Sequence, residues 1–439
     1  MATVAPLVPA GYPGPTGRTG RAGHAGRASR TARTARAALR TAIRSIEDRT
    51  PAHRDRAIDG LRALALLSVP TGHWLICGFT RDADGALHNA SLLTALRVLA
   101  PLTWVLQLLG IFFLVGGHAS VLSYRRATGR GISTARWLGG RLARLGRPVI
   151  GVTAVWAALL PLLYRLGVPT ATLRTAATLV IQPLWFVGVY AVVTALTPCC
   201  IRAARRLGAW SAAPLLVSVG AVDLLRYGPY AAALPGWLGL LNLLPGWLFA
   251  YQLGVCWGEK RLGQRAAWVL LAGGGALFAL LLLAFGYPTS MVGVPGQDRT
   301  NSHPPSLLVL ALAAAQSGAA VLLRDRMARL LRRPTVWAPV VVINLCAMTI
   351  LCWHQTAMLA SAVPAAPFLG AVPGLTSVPD APGWLLARLA WMPLFAFTLV
   401  LLARLTRRFE APWTGATAAR RTAAALLAAG FAVFALGLA

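Results

Sequence analysis
From residue 57 almost to the C-terminus, apolar runs of about twenty residues alternate with short polar breaks. The pattern predicts an all-α fold, a polytopic transmembrane helix bundle of about 11 spans. Their approximate bounds are 57–79, 100–123, 148–166, 176–197, 211–225, 234–258, 266–286, 305–323, 337–361, 384–403 and 420–438. Pro235-Gly236 and Pro245-Gly246 interrupt the sixth, which can therefore be a broken helix. No repeat of the two halves is visible, which argues against an inverted-repeat transporter. Residues 1–50 lack an apolar stretch of the kind a cleaved signal peptide needs, and read as a disordered Arg-rich tail. Within it Arg33, Arg36, Arg40 and Arg44 fall at helical spacing, so part can lie on a membrane surface as a short helix.

Composition agrees with the pattern. Of 439 residues, 57% are apolar and 12% charged, against about 25% charged in a soluble domain. The net charge of +30 is almost all arginine, Lys260 being the only lysine. The arginines gather in alternate gaps. One gap holds Arg125, Arg126, Arg130, Arg136, Arg141, Arg144 and Arg147, whereas its neighbours hold only Arg81 and Arg97, or Arg165 and Arg174. That alternation fits cytoplasmic loops against anionic lipid, and it places the N-terminus in the cytoplasm and the C-terminus outside. An even number of spans would break it. Nucleic-acid binding by the basic tail is disfavoured, because no aromatic residues interleave with its arginines. Six cysteines lie in or beside apolar runs without metal-ligand spacing, so they read as packing residues, and no metal site is expected.

Charge inside the first span changes the picture. Asp59 and Arg62 stand three apart and can pair at its start. His73 follows Arg62 by eleven residues, which sets both on one side with roughly 16 Å between them. A histidine in hydrocarbon is costly unless it faces protein, water or substrate. Pro70 and Gly72 loosen the helix just before it. Packing against a neighbouring carbonyl would explain the ring equally well on spacing alone.

The stretch Asp59-Gly60-Leu61-Arg62-Ala63-Leu64-Ala65, with ten residues between Arg62 and His73, resembles the acyltransferase-3 family of integral membrane O-acyltransferases. Further matches extend the resemblance over most of residues 55–405. Phe112-Phe113-Leu114-Val115-Gly116-Gly117 is similar to a second-helix motif in which serine usually replaces Gly116. Such paired small residues allow close backbone approach, here expected against the His73 helix. Arg141, Arg144 and Pro148 match the start of the third span, Leu184-Trp185-Phe186 the fourth, and the sixth span carries Phe249 and Gly254. His354 on the ninth resembles a late histidine helix, with Trp353 where a tyrosine is usual.

The resemblance implies a ten-helix core over residues 51–408, with 409–439 an extra C-terminal transmembrane helix. It implies transfer of an acyl group, as in O-acetylation, from an acyl-coenzyme-A-type co-substrate to a hydroxyl of a glycan, lipid or small molecule. No cofactor would be bound permanently. His73 is the expected general base, since neutral imidazole suits that task near neutral pH. A covalent acyl-enzyme is not expected: Ser68, five residues earlier, points elsewhere on an ideal helix. Arg62, Arg141 and Arg144 would grip the donor's phosphates by bidentate hydrogen bonds. Asp59, Trp185, His354 and His118 would support the site, with His118 facing the His73 cavity. In the long loop before the eighth span, Asn301, His303 and Asp298 are candidates for meeting the acceptor, although loops also turn on such residues without function. The partners expected are the lipid bilayer, an acyl donor and a hydroxylated acceptor, with no nucleic acid, in the cell membrane. Two rivals remain: a transporter or exporter using the same His/Arg pair, and a structural or sensory membrane protein.

Overall fold
The computed structural model describes residues 19–228, 234–297 and 299–406, together with Thr422. The helices are α1 (Thr19–Asp48), α2 (Arg56–Ile76), α3 (Leu92–Ala95), α4 (Leu102–Leu106), α5 (Leu109–Thr128), α6 (Thr134–Arg165), α7 (Thr170–Ile181), α8 (Leu184–Ala195) and α9 (Thr197–Leu207). There follow α10 (Ala213–Tyr227), α11 (Leu243–Gly258), α12 (Gln264–Leu283), α13 (Leu307–Leu330), α14 (Pro334–Leu345), α15 (Ala347–Leu369) and α16 (Pro382–Thr406). Between α2 and α3, strands β1 (Cys77–Arg81) and β2 (Leu87–Ser91) form an antiparallel hairpin that pairs Phe79 with Asn89. Among the described residues, eight helical stretches are long and apolar enough to cross a membrane, or nine when α14 and α15 count as one bent span. α2 is not among them: its first turns carry Arg56, Asp59 and Arg62. The expected span at 420–438, the unit 409–439 and Asp298 lie outside the described residues.

Several elements differ from what periodicity predicts, each for a local reason. The ninth span was expected over 337–361. It bends by 78° between α14 and α15, where the Asn344 side chain donates to the backbone carbonyls of Val340 and Asp59 and so competes with the helical ladder. The hairpin went unforeseen although Asp84-Gly85 is a strong turn signal, with Gly85 at φ +81°. The sixth span begins as a 3-10 segment, Gly236–Asn242, and then runs unbroken through Pro245 as α11. Residues Thr19–Asp48 form a helix longer than the short one expected around Arg33, Arg36, Arg40 and Arg44. Arginine and alanine are good helix formers, and the end of α1 is tied down by Glu47, which pairs with Arg56 at 2.5 Å, and by Thr50, which accepts from the Trp337 indole.

α2 is the hub. It packs on α5, α13, α14 and α15, and its Ala63, Ala65 and Leu66 are buried. α5 lies tightly on α11, because a side chain on Gly117 would collide with the Tyr251 backbone and one on Gly254 with Leu114. The Gly116-Gly117 pair therefore serves α8 and α11 rather than α2, Gly116 lying against Tyr190.

Candidate active site
Each end of α2 opens into a cavity. At its N-terminal end a cavity of about 550 Å³ is lined by Arg54, Arg62, Arg126, Arg130, Asp59 and His118, among others. At its C-terminal end one of about 440 Å³ is lined by His73, Trp185, His303, Ser68, Cys77 and Gln355, among others. The two share no lining residue.

The C-terminal cavity is built around two imidazoles. His73 Nδ1 lies 2.7 Å from His354 Nε2. The ring planes differ by 12° with centroids 4.9 Å apart. The centroid distance exceeds the N···N distance by about two ring radii, so the rings meet edge to edge in one plane rather than face to face. His354 is fully buried, and its Nδ1 lies 2.9 Å from the Leu351 carbonyl and 3.3 Å from that of Ile350. A carbonyl only accepts, so His354 Nδ1 carries the proton and donates. In the neutral ring Nε2 is then an acceptor, and His73 must donate to it through Nδ1. His73 Nε2 is left with its lone pair, without a hydrogen-bond partner among the described residues. The helix backbone thus selects the tautomer of the ring next to the cavity.

Two further contacts hold the pair in register. The Trp74 indole donates to the His354 carbonyl at 3.0 Å. Arg388 on α16, fully buried, donates to the carbonyls of Trp74 and Cys77 at the end of α2 and to Gly374. Its guanidinium lies over the rings of Phe395 and Trp384 at 4.9 and 5.3 Å. A cation on the carbonyls that end a helix is favourable. Sequence reasoning missed Arg388, since one arginine in an apolar run gives no sign of which carbonyls it will reach.

Residues 55–406 match the acyltransferase domain that defines the acyltransferase-3 family. The chain belongs to that family. No curated protein and no solved structure matches it. It is accordingly a multi-pass membrane protein and an O-acyltransferase.

In this acyltransferase several candidates fall where expected and others do not. Arg62 reaches Asp59 at 3.7 Å, but Asp59 is held more closely by Arg54, at 2.5 Å. Arg62 and His73, expected on one side of the helix, line separate cavities because the middle of α2 is packed shut. His118 joins Arg62 rather than His73, and its buried Nδ1 has no partner among the described residues. Arg141 donates to Ser120 at 2.8 Å and lies over Trp137, while Arg144 is exposed; neither lines the cavity. Arg54, Arg126 and Arg130 are there instead. Arg126 lies in the last turn of α5 and Arg130 in the turn that follows it.

Trp185 lines the His73 cavity and meets His303 edge to face at 4.8 Å. Burial pushes the His303 imidazole below its usual value. Asn301 is fully buried within its loop, donating to the carbonyls of Pro288 and Ser290 and accepting from Ser306, so its amide is committed there. Ser68 does line the cavity, contrary to its expected heading, with its hydroxyl donated to the Ala65 carbonyl.

Proposed function
We propose that the protein moves an acyl group from a coenzyme-A-type thioester to a hydroxyl of a glycan, lipid or small molecule, with His73 as general base. The reading rests on the tautomer derived above: a neutral imidazole turning its free Nε2 lone pair towards a cavity. The acceptor O–H gives its proton to His73 Nε2 as its oxygen attacks the thioester carbonyl carbon. The carbonyl π electrons move onto oxygen; they return as the C–S bond breaks, and the thiolate leaves with the proton from His73. The imidazolium formed in between still donates through Nδ1 to His354, whose own proton rests on the Leu351 carbonyl.

The donor's phosphates belong at the other end of α2. Arg54, Arg62, Arg126 and Arg130 outnumber Asp55 and Asp59 around that cavity, and guanidinium groups fit phosphate by paired hydrogen bonds. Arg141 and Arg144 would act on the approach rather than in the cavity. The thioester arm must pass the closed middle of α2, so donor binding has to part the helices there. The donor is a co-substrate and no cofactor stays bound.

We place this end in the cytoplasm, with eleven spans in the cell membrane. The Arg-rich ends are joined there: Arg324 pairs with Asp55 at 2.8 Å, while Arg125 and Arg205 both pair with Glu259, at 2.6 and 3.0 Å. Purified protein in lipid nanodiscs should release free coenzyme A from acetyl-coenzyme A in a His73-dependent manner. Movement of substrate without thioester consumption would support a transporter instead.

A further inference from the structure
The His73 cavity contains one buried polar side chain whose hydrogen bonds the protein does not use. Gln355 follows His354 on α15, is 2% exposed and lines the cavity. Its Oε1 is buried without a partner among the described residues. The other buried polar side chains of this cavity are committed there: Ser68 to the Ala65 carbonyl, Thr103 to that of Ala100, Ser302 to that of Met291, and Ser91 to the Leu93 N–H. Gln107, half-buried, donates to Ser302 at 3.0 Å. A buried amide with an orphan oxygen costs free energy that an apolar side chain of the same shape would spare. A half-turn about its terminal bond exchanges the amide's oxygen and nitrogen, which are nearly the same size. The helix that orients the base thus also carries an uncommitted donor beside it.

We propose that Gln355 is the oxyanion donor of the acyl transfer, its side-chain N–H pointing at the thioester carbonyl oxygen as charge gathers there. This rests on the reading of the cavity as the acyl-transfer site. Attack on the carbonyl carbon places a full bond's electron pair on that oxygen, and a donor fixed on the wall of a mostly apolar cavity stabilises it without reorganising. No new bond forms to Gln355, and the N–H returns to its resting state when the C–S bond breaks.

The test uses the full chain in nanodiscs, acetyl-coenzyme A as donor, and methyl glucoside or water as acceptor, with free thiol as readout. Gln355→Met keeps the volume and removes the donor. It should lower kcat by about 10²–10³-fold while leaving KM for acetyl-coenzyme A within about threefold. Gln355→Glu supplies a second reading. Once ionised its carboxylate cannot donate, so activity should fall as pH rises through the value at which the buried group loses its proton, a fall the wild type lacks. A Gln355→Met kcat near wild type, or a Gln355→Glu pH profile like wild type, would overturn the inference alone. Turnover retained in His73→Ala but lost in Gln355→Met would overturn the base and leave the oxyanion donor standing. A wild type that releases no thiol above a protein-free control would overturn both.

Discussion

The two ends of α2 are built on opposite electrostatic plans. Its N-terminal end is crowded with guanidinium and carboxylate groups in mutual contact: Arg54 and Arg62 on Asp59, and Arg324 on Asp55. Its C-terminal end presents neutral imidazoles, whose tautomers are set by backbone carbonyls. Among the described residues, the buried cation near that end, Arg388, is turned to the carbonyls of Trp74, Cys77 and Gly374 rather than to the imidazoles. On the proposed function, the difference separates two tasks that would interfere in one cavity. Holding a polyphosphate needs a dense positive field, yet such a field beside a base would strengthen proton loss from its conjugate acid and weaken its basicity. A wall of apolar side chains in mid-helix keeps the two apart.

Substitutions at either end can break or sharpen this contrast. His73→Ala should have the largest effect, lowering kcat by about 10²–10⁴-fold with KM for acetyl-coenzyme A little changed, read as thiol release. Arg388→Met should destabilise the fold by about 3 kcal/mol, because it strands buried carbonyls that now accept from a charged donor. A thermal-unfolding scan in nanodiscs checks this, and an unchanged midpoint would show that Arg388 does not hold the end of α2. Arg62→Glu should raise KM for acetyl-coenzyme A by about tenfold, roughly one charged hydrogen bond's worth, and leave acceptor KM alone. An equal shift in both would erase the division of labour between the cavities.

The smallest effect concerns pH. Since burial lowers the His303 imidazole below about 6.5, the unfolded chain binds its proton first as pH falls. The contribution of His303 to stability is thus complete above the ordinary imidazole value and is lost as pH drops towards and through the lowered one. Trp185 fluorescence should follow the same transition, because the two rings touch. His303→Gln should remove it.

How much of this was legible in the sequence depends on whether a feature is local. The Asp59–Arg62 pair follows from short-range spacing, and α5, α6, α11, α13 and α16 lie where apolar runs predict helices. Features set by packing were not legible. The bend before α15 depends on Asn344 reaching across to Asp59. The rotation of α5 that sends His118 to the Arg62 cavity depends on which neighbours its glycines admit. That His354 meets His73 is a contact across 281 residues. The family resemblance put His354 on a late helix without naming its partner. Arg141 and Arg144 matched a motif, but the motif does not say that Trp137 would stand between Arg141 and the cavity.

The proposed chemistry depends on which nitrogen of His73 carries the proton. Nitrogen-15 NMR of histidine-labelled protein in nanodiscs at neutral pH reads this directly. The account predicts a pyrrole-type, protonated Nδ1 and a pyridine-type Nε2 for His73, with a similarly protonated Nδ1 on His354. A proton found on His73 Nε2 would leave the cavity facing a donor instead of a base and would contradict the mechanism.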